Sequence, residues 1–183
     1  CIRDSPCRLP YELLNHNNVS NKETTMDKGY LLSPKDLCTL DYLPQLIDAG
    51  VKCFKIEGRL KSPEYVATVT RIYRKYIDKI LNREDYIVED SDMKQLLQIF
   101  NRGGFSSGHL SDSPNKNLIF KERPNNIGLF LGNISKFSSN KGHITLTLNE
   151  DLAIGDTIYT EKEDSKYTVS ELMQKTLNLT HAK

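Results

Sequence analysis

The spacing of apolar residues predicts three helices in the first hundred residues. Helical spacing runs through Leu40–Ala49 and stops at Gly50, a residue that commonly follows the last turn of a helix. Ser62 and Pro63 suit the N-cap and first position of a longer helix, and a third helix is predicted from about Asp92 to Phe100. The apolar stripe of the long helix consists of Tyr65, Val66, Val69, Ile72, Tyr73, Tyr76, Ile77 and Ile80.

Two short apolar runs precede the first two helices and are predicted to be strands. The first is Gly29–Ser33, followed by a helical turn in which Ser33 and Asp36 form a capping box. The second is Val51–Glu57. Strand, helix, strand and helix in this order predict parallel pairing, but a complete parallel barrel needs about 250 residues. The prediction is therefore an α/β fold containing a partial parallel (β/α) barrel end.

After the glycine-rich segment 101–108 the pattern changes to short strands separated by turns, which predicts a small antiparallel β-barrel-like module. The predicted strands are Ile127–Ser135, His143–Leu148, Asp156–Thr160 and Tyr167–Val169. The predicted organisation is a cysteine-containing loop segment over 1–28, closing βα units over 29–100, a linker over 101–122 and the β module over 123–183. We expect the chain to be a fragment of a larger enzyme, and we expect this fragment to lack the N-terminal half of the barrel.

Composition narrows the function classes only slightly. The chain carries 25 Lys plus Arg against 24 Asp plus Glu, so its net charge of +1 gives no general reason to expect nucleic acid or an anionic membrane as partner. The absence of a long apolar run predicts no membrane span, and a cytoplasmic location follows as the default expectation. In the cytoplasm the four scattered cysteines are not expected to form a disulfide framework. Cys53 is expected to be a small buried core residue.

The predicted strand Val51–Glu57 carries the strongest candidate chemistry. Its alternation directs Phe54 and Ile56 towards the helices and directs Lys55 and Glu57 to the opposite face, near the carboxyl end of the strand. Active sites of parallel barrels lie at that end, so we predict Lys55, Glu57 and Arg59 as catalytic residues. Glu57 suits a general acid or base, and Arg59 suits a bidentate clamp on a carboxylate or phosphate. The alternative is a structural ion pair between Lys55 and Glu57.

Several ordered segments resemble the collagenase-like peptidase family, peptidase family U thirty-two. These segments are Lys28–Leu37, Leu46–Val51, Phe54–Arg59, Ser62–Val66, Cys7–Tyr11, Asn101–Phe105 and Arg123–Asn125 with Gly128. The resemblance implies a barrel-like catalytic domain and an assignment as a protease. It also implies a second activity, because related members are tied to hydroxylation of tRNA, rRNA or a quinone precursor and use a four-cysteine iron–sulfur cluster.

The resemblance implies metal ligands at the start of the chain. Cys7, followed by Arg8, resembles the cysteine–arginine segment of the family, and Cys1 is the second candidate ligand of an iron–sulfur cluster. Related members place three residues between the paired cysteines, whereas five separate Cys1 from Cys7. Further ligands are expected upstream, and surface thiols are the alternative for both cysteines.

Three functions therefore remain open for the sequence: a peptidase acting on peptides, an iron–sulfur-dependent RNA hydroxylation enzyme, and a noncatalytic binding module. No His-Glu-x-x-His motif supports a metal-dependent peptidase. A cationic stripe on the long helix suits either RNA or solvent; it consists of Arg71, Arg74, Lys75 and Lys79. The 183 residues alone are expected to be inactive.

Overall fold

A computed structural model describes residues 5–17, 22–110, 118–140, 142–161, 165–175 and 177–182. The chain divides into two compact units, Cys1–Gly128 and Leu129–Lys183, called here the N-terminal and C-terminal units. The described residues mix helices with small sheets, most of them antiparallel, and these sheets form no closed barrel. None of the described helices is long and apolar enough to cross a membrane.

The N-terminal unit combines one hairpin, one parallel strand pair and three helices. In chain order its elements are β1 (Tyr11–Asn17), β2 (Lys22–Gly29), β3 (Asp36–Leu37), α1 (Leu43–Asp48), α2 (Pro63–Leu81), α3 (Asp90–Ile99) and β4 (Phe105–Ser106). Short 3-10 turns at Pro6–Arg8 and Leu40–Tyr42 precede β1 and α1. β1 and β2 pair antiparallel, whereas β3 and β4 pair parallel.

The helices form where the apolar spacing predicts them. Ser62 caps α2, its hydroxyl oxygen accepting a hydrogen bond from the Tyr65 amide at 3.3 Å, and Gly50 follows α1 with a φ of 90°. One side of α2 packs against α1 and α3, and this contact forms the core of the unit. The buried core residues are Leu40, Leu43, Val69, Ile72, Tyr76 and Leu96.

A buried polar network joins α2 to the start of α3. The hydroxyl of Tyr76 donates to the Asp92 carboxylate at 2.8 Å and accepts from the Glu89 amide at 2.7 Å. Lys75 lies 2.7 Å from the same carboxylate and 2.8 Å from that of Glu89. Burial acts to raise the pKa of Asp92, but the hydrogen bonds from Lys75 and Tyr76 outweigh it and hold this pKa below its usual range. The polar atoms are thus satisfied inside the core.

Val51–Glu57, predicted to be a strand, forms no strand in the structure. A strand requires a partner for its backbone N–H and C=O groups, and no strand among the described residues pairs with this segment. The predicted alternation of faces is nevertheless present, because Phe54 and Ile56 pack against the core while Lys55 and Glu57 are exposed.

The predicted strand Gly29–Ser33 is also wrong, since the chain turns there. The Ser33 amide donates to the Tyr30 carbonyl at 2.9 Å, and the carbonyl of Ser33 accepts from the Phe120 amide at 3.0 Å. The Ser33 hydroxyl, predicted to cap a helix, is buried and accepts a hydrogen bond from Arg8 instead. Pairing with a distant segment therefore overrides the local capping signal.

The glycine-rich segment 101–108, predicted to be irregular, contains β4 and is organised by a buried asparagine. Asn101 is 2% exposed, and its side-chain amide donates to the carbonyls of Leu97 and Gly128 at 2.7 and 2.8 Å. Its side-chain oxygen accepts from the Gly104 amide at 3.0 Å. Gly103 has a φ of 76°, and a Cβ there would lie 2.2 Å from the ring of Phe120. These contacts fix the turn that brings β4 beside β3.

The C-terminal unit consists of short antiparallel strand pairs. Its elements are β5 (Gly132–Ser138), β6 (His143–Leu148), β7 (Leu152–Ala153), β8 (Thr157–Tyr159), β9 (Lys166–Thr168), β10 (Leu172–Gln174), β11 (Leu177–Leu179) and β12 (His181–Ala182). The pairs are β5–β6, β8–β9, β10–β11 and β7–β12. Leu152 is buried, whereas Phe130, Ile134 and Phe137 are exposed. The antiparallel strands predicted for this region are present in the structure, with shifted ends.

Candidate functional site

The predicted catalytic residues Lys55, Glu57 and Arg59 lie on the surface of the N-terminal unit. The Nζ of Lys55 is 3.8 Å from Glu57 Oε2, and the two side chains are 87% and 74% exposed. The other carboxylate oxygen of Glu57 accepts from the Arg59 amide at 3.2 Å. The three residues are therefore neighbours, but water screens their charges. Their catalytic role stays a prediction.

The candidate metal ligands are only partly described. Cys7 is exposed beside Arg8, whereas Cys1 lies outside the described residues. Cys53 is exposed, so the prediction that it is a buried core residue is wrong; no strand in the described part of the chain pairs with its segment to cover it. Cys38 is half-buried, and burial raises the pKa of its thiol.

The described residues do not fit a complete iron–sulfur site by themselves. A four-cysteine cluster requires four thiolates that converge on one place. Within the described part of the chain, no group of three or more His, Cys, Asp or Glu side chains is arranged to hold a metal ion. Cys7 alone contributes an exposed thiol near the charged residues described next.

Arg102 and Asp36 form a half-buried ion pair that the sequence patterns do not predict. The guanidinium donates from Nε to Asp36 Oδ2 at 3.0 Å and from Nη2 to the other carboxylate oxygen. The side chains of Arg102 and Asp36 are 18% and 19% exposed. The parallel pairing of β3 with β4 brings the two residues together, because Asp36 lies in β3 and Arg102 lies three residues before β4.

Arg8 lies close to this ion pair. Its Nη1 donates to the buried hydroxyl of Ser33 and to the Pro34 carbonyl, the latter at 3.1 Å. Desolvation and the positive charge of Arg102 lower the pKa of Arg8, while Cys7 and Asp36 act in the opposite direction. The guanidinium of Arg8 is therefore held in place by neutral acceptors.

Lys61 is the third cation of this group. Its Nζ lies over the ring of Phe100 and 5.3 Å from the ring centroid of Tyr65, and it has no acidic partner among the described residues. The pKa of Lys61 is lowered to about 8: desolvation is the largest cause, Asp36 opposes it, and the positive charges of Arg102 and Arg8 add to it. Lys61 and Arg102 both contact the ring of Phe100, and Arg8 donates a hydrogen bond to the residue two positions before Asp36. The three cations, Arg8, Lys61 and Arg102, and one carboxylate therefore share this region and leave a surplus of two positive charges. We call these four residues the cationic cluster.

The predicted cationic stripe on α2 is mostly neutralised by acidic neighbours. Arg74 pairs with Asp78, and Lys79 lies 3.4 Å from Glu89. Lys75 is paired in the buried network, and Arg71 donates to Gln95 at 2.6 Å. These contacts are those of a solvated helix face, so the stripe is a weaker site for an anion than the cationic cluster.

Sequence reasoning missed the cationic cluster although each member lies within or beside a segment quoted above for the family resemblance. Arg8 follows Cys7, Asp36 was assigned to a capping box, and Arg102 lies in the glycine-rich segment. No periodic pattern links positions 8, 36, 61 and 102, so the only signal was their placement beside those motifs. The cluster is equipped to bind an anion, because guanidinium and ammonium groups with unused donors are preferred partners of phosphates and carboxylates.

Comparison with known proteins finds relatives that are named either as proteases or as RNA-modifying enzymes. An uncharacterized protease of Methanocaldococcus jannaschii is 35% identical over 158 residues, which are 84% of this chain and 38% of the relative. A collagenase of Porphyromonas gingivalis is 38% identical over 106 residues, 57% of this chain and 25% of the relative. A 23S rRNA 5-hydroxycytidine synthase of Escherichia coli is 32% identical over 157 residues, 82% of this chain and 23% of the relative.

The chain spans 38% or less of the length of these three relatives. No solved structure matches it. A sequence profile of peptidase family U32 matches residues 1–119, which is well over half of the 183 residues. The chain therefore belongs to peptidase family U32.

Proposed function

We propose that this chain is part of an enzyme that hydroxylates tRNA or rRNA, and that the N-terminal unit contributes a contact to the RNA substrate. The observation that carries this proposal is the cationic cluster, with its surplus of two positive charges beside the exposed thiol of Cys7. RNA presents a negative charge at every nucleotide, so a half-buried surplus of positive charge favours RNA over a neutral peptide segment. The similarity to an rRNA-modifying relative supports the same choice.

In this proposal the cationic cluster binds and orients the RNA substrate. The oxidation step is not assigned to its residues. The Ser33 hydroxyl oxygen accepts from the guanidinium of Arg8, which cannot remove the serine proton. Ser33 is therefore not arranged as the activated nucleophile of a serine peptidase. Asp36 is occupied by Arg102 and acts as a positioning residue for that guanidinium.

An iron–sulfur cluster with Cys7 as one ligand and Cys1 as a second candidate remains part of the proposal. Residues outside the described part have to complete the ligand set. The test is anaerobic purification of the full-length protein followed by quantification of iron and sulfide. A protein free of both would remove the cluster from the proposal.

A peptidase is the second candidate, favoured by the similarity to relatives named as a protease and a collagenase. Its predicted catalytic residues are Lys55, Glu57 and Arg59, with peptide as substrate and partner groups from a further half of the barrel. The closing end of a parallel (β/α) barrel is likewise a proposal for residues 29–100. It is supported by the parallel pairing of β3, which lies in this range, with β4, which follows it. A noncatalytic binding module and a cytoplasmic location also remain predictions.

The deciding experiment compares RNA from cells that lack the full-length gene with RNA from cells that carry it. Total tRNA and rRNA are digested to nucleosides and measured by mass spectrometry, and the purified protein is offered a set of collagen-derived peptides in parallel. We expect a hydroxylated nucleoside to disappear in the deletion strain and to return with the intact gene. Unchanged RNA together with cleaved peptides would refute the hydroxylase and support the peptidase.

A further inference from the structure

The cationic cluster has the features of a site for a single phosphate group. We propose that Arg8, Lys61 and Arg102 together bind one phosphodiester of the RNA backbone. The inference rests on the proposed RNA substrate and adds to it the chemical group that is bound and the residues that bind it. It also gives the site a property, pH-dependent affinity, that a general attraction between charges would not have.

The two guanidinium groups are held in place before any ligand arrives. Arg102 uses Nε and Nη2 on Asp36, which leaves its Nη1 without an acceptor among the described residues. Arg8 donates from Nη1 to Ser33 and Pro34. Its Nε and Nη2 have no hydrogen-bond acceptor among the described residues. Unused N–H donors on two anchored guanidinium groups suit the paired oxygens of a phosphodiester, and fixed donors lose little side-chain entropy on binding.

Lys61 differs from the two arginines because no carboxylate or neutral acceptor in the described chain engages its Nζ. Its contacts are with the rings of Phe100 and Tyr65. Such a lysine is partly desolvated without a direct ion pair, and a bound anion would supply that partner. Lys61 therefore gains more from a bound phosphate than a lysine that already has an ion pair.

The aromatic residues beside the cluster do not offer a platform for a base. The ring of Phe100 lies beneath Lys61, is 5.3 Å from the Arg102 guanidinium carbon, and meets the ring of Tyr65 in a T-shaped contact with a centroid distance of 6.1 Å. A ring already in contact with three side chains is not free to stack with a nucleobase. The site therefore contacts the RNA backbone and not the bases, and we expect similar affinity for RNAs of different sequence.

The pH response follows from the charges that face Lys61. Arg8 and Arg102 are positive and favour the neutral amine, Asp36 is negative and opposes them, and Tyr65 contributes an uncharged ring. With a pKa of about 8, Lys61 is mainly protonated at pH 7 and mainly neutral at pH 9. A bound phosphate favours the protonated form, so binding above pH 8 takes up a proton and affinity falls as the pH rises.

The test measures binding of a labelled RNA to the full-length protein by fluorescence anisotropy between about pH 7 and about pH 9, across the pKa of Lys61. The probe is an oligomer of about 12 nucleotides made only of adenylate and cytidylate, whose bases do not lose a proton in this range. We compare wild type with Lys61→Gln, which removes the charge, and with Lys61→Arg, which keeps it at every pH. The matched control is Lys52→Gln, an exposed lysine of a neighbouring segment.

We expect wild-type affinity to fall about tenfold from the low to the high end of that pH range, since a charge-assisted hydrogen bond is lost. Lys61→Gln binds weakly at both ends, Lys61→Arg binds tightly at both, and Lys52→Gln behaves as wild type. Removing the Lys61 contact should also make the slope of log affinity against log salt about 0.7 less steep. Persistence of the full pH dependence in Lys61→Arg, or equal loss in Lys52→Gln, would overturn the inference.

Two further arms separate this inference from the proposed function. If polyglutamate competes as well as RNA of equal charge, the site takes carboxylates and the phosphodiester assignment is wrong. If RNA hydroxylation is present in cells but RNA binding ignores Lys61, the function stands and the inference fails. If binding follows Lys61 as described but no RNA is hydroxylated, the phosphate site stands and the proposed reaction fails. Circular dichroism of each variant confirms that the protein is folded.

Discussion

The ion pair between Asp36 and Arg102 should contribute far more to stability than the ion pair between Lys55 and Glu57. Removing one partner of a fully buried pair costs about 3–5 kcal/mol, whereas exposed pairs contribute about 0–1 kcal/mol. Asp36 and Arg102 are 19% and 18% exposed and share two hydrogen bonds, so we expect Asp36→Asn to lower the free energy of unfolding by about 2 kcal/mol. Lys55 and Glu57 are 87% and 74% exposed, and Glu57→Gln should change this free energy by less than about 0.5 kcal/mol.

The assay is a pair of double-mutant cycles, which isolate the interaction between two side chains from the other effects of each substitution. One cycle uses Asp36→Asn with Arg102→Gln, and the other uses Glu57→Gln with Lys55→Gln. Urea unfolding is followed by far-UV circular dichroism, because all described α-helices lie in the N-terminal unit and the chain contains no tryptophan. We expect a coupling energy of about 1.5 kcal/mol in the first cycle and one near zero in the second. Equal coupling in the two cycles would refute the assignment of burial as the cause.

Three further predictions concern the core and the thiols. Ser62→Ala removes the cap of α2 and should lower the free energy of unfolding by about 1 kcal/mol, with Ser62→Asp as the variant that retains it, both measured by urea unfolding. Tyr76→Phe keeps the ring, removes one of the hydrogen bonds to Asp92 and leaves the Glu89 amide without its acceptor, and should cost about 2 kcal/mol in the same assay; a loss below about 0.5 kcal/mol would contradict the network. Iodoacetamide should modify Cys53 at least about tenfold faster than Cys38, since burial shields Cys38 and raises its thiol pKa, and unfolding should remove the difference.

The helices of the N-terminal unit were predictable because their signals are local. The cap at Ser62, the stop at Gly50 and the apolar stripe of α2 act within a few residues through backbone hydrogen bonds and side-chain spacing. The alternation in Val51–Glu57 was also read correctly as far as burial is concerned, since Phe54 and Ile56 pack inward. That the segment is not a strand could not be predicted, because strand formation depends on a neighbour elsewhere in the fold.

The candidate site residues also divide into those with a local sequence signal and those that only folding brings together. Lys55, Glu57 and Arg59 were chosen because adjacent charges are visible along one segment, and they lie in the solvent. The cationic cluster was invisible because its members come from four separate segments that only packing brings together. Asn101 holds the turn before β4, and the pairing of β3 with β4 then places Arg102 on Asp36.

The sequence by itself determined the family, the helices and the faces that their apolar residues bury. The tertiary structure decided which polar residues meet. Caps and periodicity are properties of neighbouring residues, so a single segment contains the whole signal. The proposed anion site draws on Arg8, Asp36, Lys61 and Arg102. It depends on long-range strand pairing and on desolvation, and both arise only when the chain is folded.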